Sequence, residues 1–248
     1  MEIKNCAAML TKTKKFILDT LFPISCLSCG KPDEWICEKC LSKIPLKREQ
    51  VCPICEKAIT PDGRVCFNCG KKHSIDGILT AASYKNKLVA GATHYYKYRF
   101  IEDLKTPLGK LLIKAFFNSQ LPLPDLIIPV PLHKRRLRWR GFNQAEFLAE
   151  YLSFNLAPGF EIPAPPDWLI RQKYTPPQMK IKNSSRRKNN IRGAFKAAFN
   201  KRKNIKEKRI LLVDDIATTG STLFECAKVL KKSGAKEVFG IVIARQGS

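Results

Sequence analysis

Acid is what this chain has too little of. Its 248 residues carry 21 Asp and Glu against 45 Lys and Arg, a formal charge of +24, and the isoelectric point is near 9.8. Such an excess predicts attraction to polyanions: nucleic acid, an anionic membrane surface or phosphate-rich small molecules. Long apolar runs are missing too. No stretch approaches the roughly eighteen uncharged apolar residues of a spanning helix, so no transmembrane segment is expected. Phe16 to Ile24 follows Lys12, Lys14 and Lys15 in the manner of a weak signal segment. Asp19 and Pro23 interrupt it, however, and no small-x-small cleavage site follows. A short amphipathic helix over residues 1–22 is expected instead, with Leu10, Phe16, Ile17, Leu21 and Phe22 as its apolar stripe. There is no Gly-Lys-Ser/Thr, which excludes a P-loop. Nor is there a Ser/His/Asp or Cys/His constellation, so covalent nucleophilic catalysis has no candidate.

Cysteine, by contrast, is abundant. Of ten cysteines, eight form Cys-x-x-Cys pairs: Cys26 and Cys29, Cys37 and Cys40, Cys52 and Cys55, Cys66 and Cys69. Disulfide frameworks seldom repeat a two-residue spacer, whereas metal ribbons do. The pattern predicts a reducing compartment, the cytoplasm. Each pair can form a knuckle, and two knuckles close a tetrahedral four-thiolate site with no open position. The ion is therefore structural, with Zn²⁺ preferred over an iron–sulfur cluster. Glycine after Cys29 and Cys69 suits a tight turn. The spacing leaves open which pairs share an ion. A segment this short cannot bury an adequate core, so metal would supply much of its folding free energy.

The chain divides into an N-terminal helix at 1–22, a cysteine module at 23–75 and a larger domain at 76–248. In the last, strands and helices alternate as in a parallel α/β sheet. Gly77 to Tyr84, Asp125 to Val130, Ile210 to Val213 and Val238 to Ile243 read as strands. Phe142 to Leu152 and Thr222 to Ser233 read as helices. In the second, Thr222 and Glu225 fit a capping box, Leu223, Cys226, Ala227 and Leu230 fit a buried stripe, and Gly234 fits the stop.

Between Val213 and that helix lie Asp214, Asp215, Ile216, Ala217, Thr218, Thr219, Gly220, Ser221 and Thr222. A loop running from a buried strand into a helix aims backbone N–H groups at an anion. Gly220 permits close approach, and the hydroxyls add donors. The two acids cannot bind phosphate. They suit ribose hydroxyls, or a Mg²⁺ ion bridging ribose and pyrophosphate. Four apolar residues, two acids and Thr-Thr-Gly match the phosphoribosyl-pyrophosphate (PRPP) signature of type I phosphoribosyltransferases. That resemblance implies that Asp214 and Asp215 hold the ribose 2′- and 3′-hydroxyls and that Thr218 to Thr222 grip the 5′-phosphate. It also implies Mg²⁺ bound with PRPP, and chemistry that rests on positioning and charge stabilisation.

Basic segments flank the motif. His133, Lys134, Arg135, Arg136, Arg138 and Arg140, with Gly141, Phe142 and Asn143, form a cationic turn that follows a strand and enters a helix, resembling the pyrophosphate loop of this fold. Fifteen Lys or Arg and one acid, Glu207, fall between Arg171 and Arg209. Within this run Gln172, Lys173, Thr175, Gln178, Arg186, Arg187, Asn190 and Arg192 resemble a hood that closes over PRPP. Tyr95, Tyr96, Lys97, Tyr98 and Arg99 interleave rings with cations, a pattern suited either to single-stranded nucleic acid or to a core.

Taken together, the cysteine ribbons, Leu21-Phe22-Pro23, Lys97-Tyr98-Arg99, Val130 to His133, Arg140 to Gln144, Thr175 to Gln178, Arg192 to Phe195 and the PRPP loop resemble the ComF family of bacterial competence proteins over nearly the whole chain. Ile216-Ala217 is a mild departure. The resemblance implies a type I phosphoribosyltransferase-like α/β domain, a parallel sheet flanked by helices, preceded by a small double zinc ribbon. It implies a cytoplasmic factor that binds PRPP or related phosphates, handles single-stranded DNA during natural transformation and works with other competence-machinery proteins. The alternative is an active transferase that moves phosphoribose from PRPP to a nucleobase or amine.

Overall fold

The structure is a computed structural model that describes residues 24–71, 73–99, 101–175, 191–198 and 204–246. The helix expected over 1–22, the Leu21-Phe22-Pro23 stretch and the part of the hood from Pro176 to Asn190 lie outside them. The chain forms two compact units that divide after Lys43.

In the first unit a turn at Cys26 to Cys29 precedes the one-turn helix α1 (Glu38–Ser42). The turn closes through Gly30 N–H donating to Cys26 O at 2.9 Å, and Gly30 sits at φ 74°. Apart from the cysteines, the buried apolar side chains described here are Ile36 and Leu41. That is too little core to hold the chain by itself.

The second unit opens with another pair of knuckles, the later one ending in the short helix α2 (Phe67–Gly70). Strand β1 (Gly77–Ser83) leads to α3 (Lys87–Tyr98), capped by the Asn86 side chain, which accepts from Leu88 and Val89 N–H at 3.0 and 3.1 Å. Then follow α4 (Lys105–Phe117), β2 (Leu126–Pro129), α5 (Lys134–Arg140), α6 (Gln144–Asn155), β3 (Leu169–Arg171) and β4 (Phe195–Ala197). The chain ends on β5 (Arg209–Ala217), α7 (Ser221–Lys232) and β6 (Glu237–Arg245).

Strands β1, β6, β5 and β2 form, in that order, a parallel sheet. The short β3 and β4 pair antiparallel. Ile210 to Val213 are apolar on both faces because both faces are covered. Ile128, Ile210, Leu212 and Val242 pack in one cluster with Leu223, Cys226, Ala227 and Leu230 of α7 and with Leu169 and Phe195 of the small sheet. Alternation sends Ile127, Leu211, Val213 and Ile241 to the opposite face, where α4 and α6 pack. Each such buried side chain contributes about 1.5–3 kcal/mol.

Three local expectations are corrected. β5 does not stop at Val213 but runs to Ala217, because β6 stays apolar alongside and the ladder continues through Asp214 opposite Val242 and Ile216 opposite Ala244. The basic segment after Pro131 is the helix α5 rather than a turn, capped by the His133 ring, which accepts from Arg135 N–H. The capping box at Thr222 does not form. Gly220, left-handed at φ 73°, caps α7, and the Glu225 carboxylate instead accepts from Gly193 N–H at 2.7 Å. The buried stripe and the left-handed Gly234 stand as expected.

α4 packs against α6 through Gly109. A Cβ there would stand 2.3 Å from Tyr151 Cδ1 and 2.7 Å from its Cγ, near the base of the ring, which cannot swing away freely. Gly109→Ala is expected to cost about 1–3 kcal/mol by overpacking, read as a melting point several degrees lower with unchanged far-UV circular dichroism.

Candidate functional site

The cysteine thiols separate into two groups: Cys26, Cys29, Cys37 and Cys40, and Cys52, Cys55, Cys66 and Cys69. This resolves the pairing the spacing left open. Within each group all sulfurs lie within 4.8 Å of one another. A tetrahedral ion with Zn–S of about 2.3 Å requires S···S separations near 3.8 Å. Cys29 and Cys37 sit 3.7 Å apart, and Cys55 and Cys66 3.9 Å. Within the second group the thiols differ: N–H groups of Ala58 and Lys57 bring Cys55 down to about 6, while burial, and then the neighbouring thiols, push Cys69 up. Four soft ligands with no open position suit structural zinc. Of the two expected turn glycines, Gly30 is left-handed, but Gly70 lies in α2 and is not; Glu56 takes the left-handed position in the second cluster, at φ 58°.

All four parallel strands end at one edge, where open α/β sheets bind ligands. A cleft of about 120 Å³ lies there, lined among others by Lys97, Arg136, Arg140, Arg171, Asp214, Asp215, Thr218, Gly220 and Thr222. β5 delivers the twin acids. Asp215 is buried, and the Lys97 ammonium on α3 pairs with it at 3.0 Å. Asp214 faces the cleft. Desolvation by the surrounding protein, and then the adjacent Asp215 charge, push its carboxyl up to about 7. α3 is fixed by the buried Tyr96, whose hydroxyl donates to Gln144 O at 2.9 Å.

The loop and the start of α7 form another wall of the cleft. Thr218, Gly220 and Thr222 line the cleft, while Thr219 and Ser221 turn to each other, hydroxyl to hydroxyl, at 2.7 Å. Glycine suits position 220: its φ of 73° is one that L side chains rarely adopt, and a Cβ would also crowd the Phe224 ring, 2.8 Å from its Cζ. A helix start leaves its first amides without intrahelical acceptors, and the dipole favours negative charge.

Three arginines converge from elsewhere. Arg136 and Arg171 both hold the buried Thr175, Arg136 through its carbonyl and Arg171 through its hydroxyl. Burial, then repulsion from Arg136, brings the Arg171 guanidinium down to about 10. Arg140 donates to Gln144 Oε1 at 2.9 Å. The Nε atoms of both Arg140 and Arg171 are buried and find no hydrogen-bond partner among the described residues. Buried orphan donors are costly unless a ligand completes them, and two of them on cationic groups beside one cleft call for an anion.

Of the basic residues singled out on α5, Arg136 and Arg140 reach the cleft. Lys134 and Arg135 are exposed, Arg135 lying over the Tyr174 ring at 5.0 Å. In the Tyr95 to Arg99 stretch Tyr96 is core, whereas Tyr95 and Tyr98 are partly exposed and His94 stacks on Tyr98 at 5.0 Å. Sequence reasoning missed the ion-pairing role of Lys97 and the cleft position of Arg171. Lys97 stood out only as one member of an aromatic run, and Arg171 as one cation among fifteen.

This combination, a parallel sheet with an acidic strand end beside a helix-start loop and two four-thiol ribbons, defines a phosphoribosyltransferase-type protein with zinc ribbons. Residues 141–248 match the family described as phosphoribosyl transferase domain, and residues 17–74 the double zinc ribbon domain. The chain is 31% identical over 222 residues to competence protein F of Haemophilus influenzae, covering 82% of this chain and 93% of that protein. It is 28% identical to the DNA utilization protein YhgH of Escherichia coli K12, with the same coverage, and 26% identical to competence protein ComFC of Bacillus subtilis, covering 82% and 81%. Among solved structures, a glutamine PRPP amidotransferase from B. subtilis is 21% identical over 61% of this chain and 30% of that one, with a TM-score of 0.37, too low to carry weight. The chain belongs to the ComF family of competence proteins. No described helix is long and apolar enough to cross a membrane.

Asp214 gives a pH signature. Its carboxyl is raised in the folded state from an ordinary 3.8 to about 7. Between those values the folded chain holds a proton that the unfolded chain has lost, so its contribution to stability falls as pH rises through that window and stays low above it. Asp214→Asn removes the charge. The variant is expected to melt several degrees above the parent at pH 8 and together with it below pH about 4, as differential scanning calorimetry would record.

Proposed function

We propose that the cleft binds a phosphoribosyl ester, PRPP with Mg²⁺, and that the protein uses this site while handling single-stranded DNA during DNA uptake. The observation that carries the first part is the two buried, unpartnered guanidinium Nε atoms beside one cleft that also holds adjacent acids and a helix-start loop. Its lining mixes two chemistries: anion donors at Thr218, Gly220, Thr222, Arg136, Arg140 and Arg171, and the carboxylates of Asp214 and Asp215. A ligand that carries both phosphates and a diol matches that mixture.

In this reading Asp214 and Asp215 accept hydrogen bonds from the ribose hydroxyls. The amides and hydroxyls of Thr218 to Thr222 hold the 5′-phosphate, and the three arginines hold the pyrophosphate in the forked geometry guanidinium favours. Lys134 and Arg135, exposed on the same helix as Arg136, strengthen the local positive field rather than touch the ligand. Mg²⁺ would arrive on the ligand's oxygens and neutralise part of their charge.

The DNA part is supported by what the relatives are called, competence proteins and DNA utilization proteins, and by the formal charge of +24. A second reading, transfer of phosphoribose to a nucleobase or amine with pyrophosphate leaving the anomeric carbon, is favoured by Asp214. A carboxyl raised to about 7 can exchange a proton with a bound group near neutral pH.

Calorimetric titration with PRPP and Mg²⁺ is expected to show saturable binding that the double variant Asp214→Asn, Asp215→Asn loses by at least about a hundredfold, since two hydrogen bonds to charged groups go. Equal affinity in the double variant would refute the site. Pyrophosphate release on adding candidate acceptors decides for the transfer reading.

Single-strand binding should also depend on salt. Fluorescence anisotropy with a labelled oligonucleotide is expected to show affinity falling linearly in log–log form, with a slope of roughly −0.7 per phosphate contacted. A flat response would remove the DNA part.

A further inference from the structure

Arg245 ends the central strand β6, in register with Ala217 of β5 and Ser83 of β1. It is buried, at 4% exposed. Its guanidinium is shared between two places. Nη2 donates to Pro53 O at 3.0 Å and to the Glu56 carboxylate, while Nε donates to Thr218 O at 3.3 Å. Pro53 lies inside the second cysteine cluster's first knuckle, between Cys52 and Cys55. Glu56 closes that knuckle through its N–H to Cys52 O at 2.9 Å. Thr218 begins the phosphate loop. One buried side chain therefore joins a metal-binding turn to an anion-binding turn within a single compact unit.

The backbone marks Glu56 independently. The residue that closes the first cluster's knuckle in the same way is Gly30, at φ 74°. Glu56 adopts the same left-handed region at φ 58°, where an L side chain is strained and glycine is not. Folding alone would favour glycine here. The side chain that replaces it supplies the acid that pairs with buried Arg245. Strain kept at a position whose side chain makes one specific contact is a mark of function.

We propose that Glu56 and Arg245 are positioning residues through which the filled second cysteine cluster sets the phosphate loop, so that anion affinity at the loop depends on the metal state of that cluster. The fixed knuckle holds Pro53 O and the Glu56 carboxylate in place. These orient the Arg245 fork, and its Nε holds the Thr218 carbonyl so that the loop enters α7 with its amides toward the cleft. Both turns hydrogen-bond one shared side chain, which gives the two sites a contiguous physical contact. The inference rests on the phosphoribosyl reading of the cleft for its ligand, but not for the mechanical link.

The test uses the full chain and three variants: Glu56→Gly, Glu56→Gln, and the double variant Asp214→Asn, Asp215→Asn. Glu56→Gly relieves the backbone strain while removing the carboxylate; Glu56→Gln keeps an acceptor without the charge. Zinc content, melting point, hydrogen exchange of residues 218–222 without ligand, and affinity for PRPP with Mg²⁺ are measured. Glu56→Gly is expected to keep the parent's zinc, to speed exchange across the loop and to weaken PRPP binding at least about fivefold. Glu56→Gln should fall between. A merely structural glutamate would leave loop exchange and affinity unchanged in Glu56→Gly, and that result overturns the proposal. Zinc loss from Glu56→Gly also overturns it, because the residue then serves its own knuckle. If the parent fails to bind PRPP and matches the double aspartate variant, the reading of the cleft fails while the exchange data still decide the link.

Discussion

Two carboxylates side by side at the end of a buried strand are the constraint around which this molecule is arranged. Adjacent acids in low dielectric repel and lose hydration, so neighbouring structure must compensate them. Lys97 answers Asp215, and the α3 helix that carries it is held by Tyr96 against the backbone of Gln144. Asp214 is pushed the other way: desolvation, and then the Asp215 charge, outweigh the Lys97 charge and raise its affinity for a proton. Around these acids the fold brings in arginines whose Nε donors remain unmet. The cleft thus brings carboxylates and buried cationic donors together beside one strand.

The cysteine clusters solve a different problem with the same logic. The described part of the first unit buries two apolar side chains besides its cysteines, so the thiol geometry rather than a core specifies its turn and helix. The second cluster belongs to the same compact unit as the sheet. Its knuckle shares Arg245 with the phosphate loop, and its closing residue is glutamate where the first cluster has glycine.

Several features were legible because they depend on local chemistry. The paired cysteine spacings, the apolar run before Asp214, Gly220 at the loop and the stripe from Leu223 to Leu230 each carry their own physical reason. The failures share a cause as well. Thr222 and Glu225 have the right types and spacing for a cap, yet Glu225 is taken by the amide of Gly193, thirty-two positions away. β5 outran its apolar stretch because β6 supplied a ladder beyond it. Lys97 lies in an aromatic run and Arg171 in a charged one, and only α3 and β3 bring them to one cleft.

The sequence by itself determined the chemistry available: thiols spaced for tetrahedral ions, a strand that must be covered on both faces, acids and a glycine-bearing turn at its end, and cations in large excess. These follow from covalent spacing, hydrophobicity and backbone sterics, which act over a few residues. Only the tertiary structure decided which thiols share a site, which cation answers which acid, which arginines are left wanting a partner, and that Arg245 spans two turns. Those outcomes depend on distances between residues far apart in the chain, set by the packing of the sheet and its helices, and no local pattern encodes them.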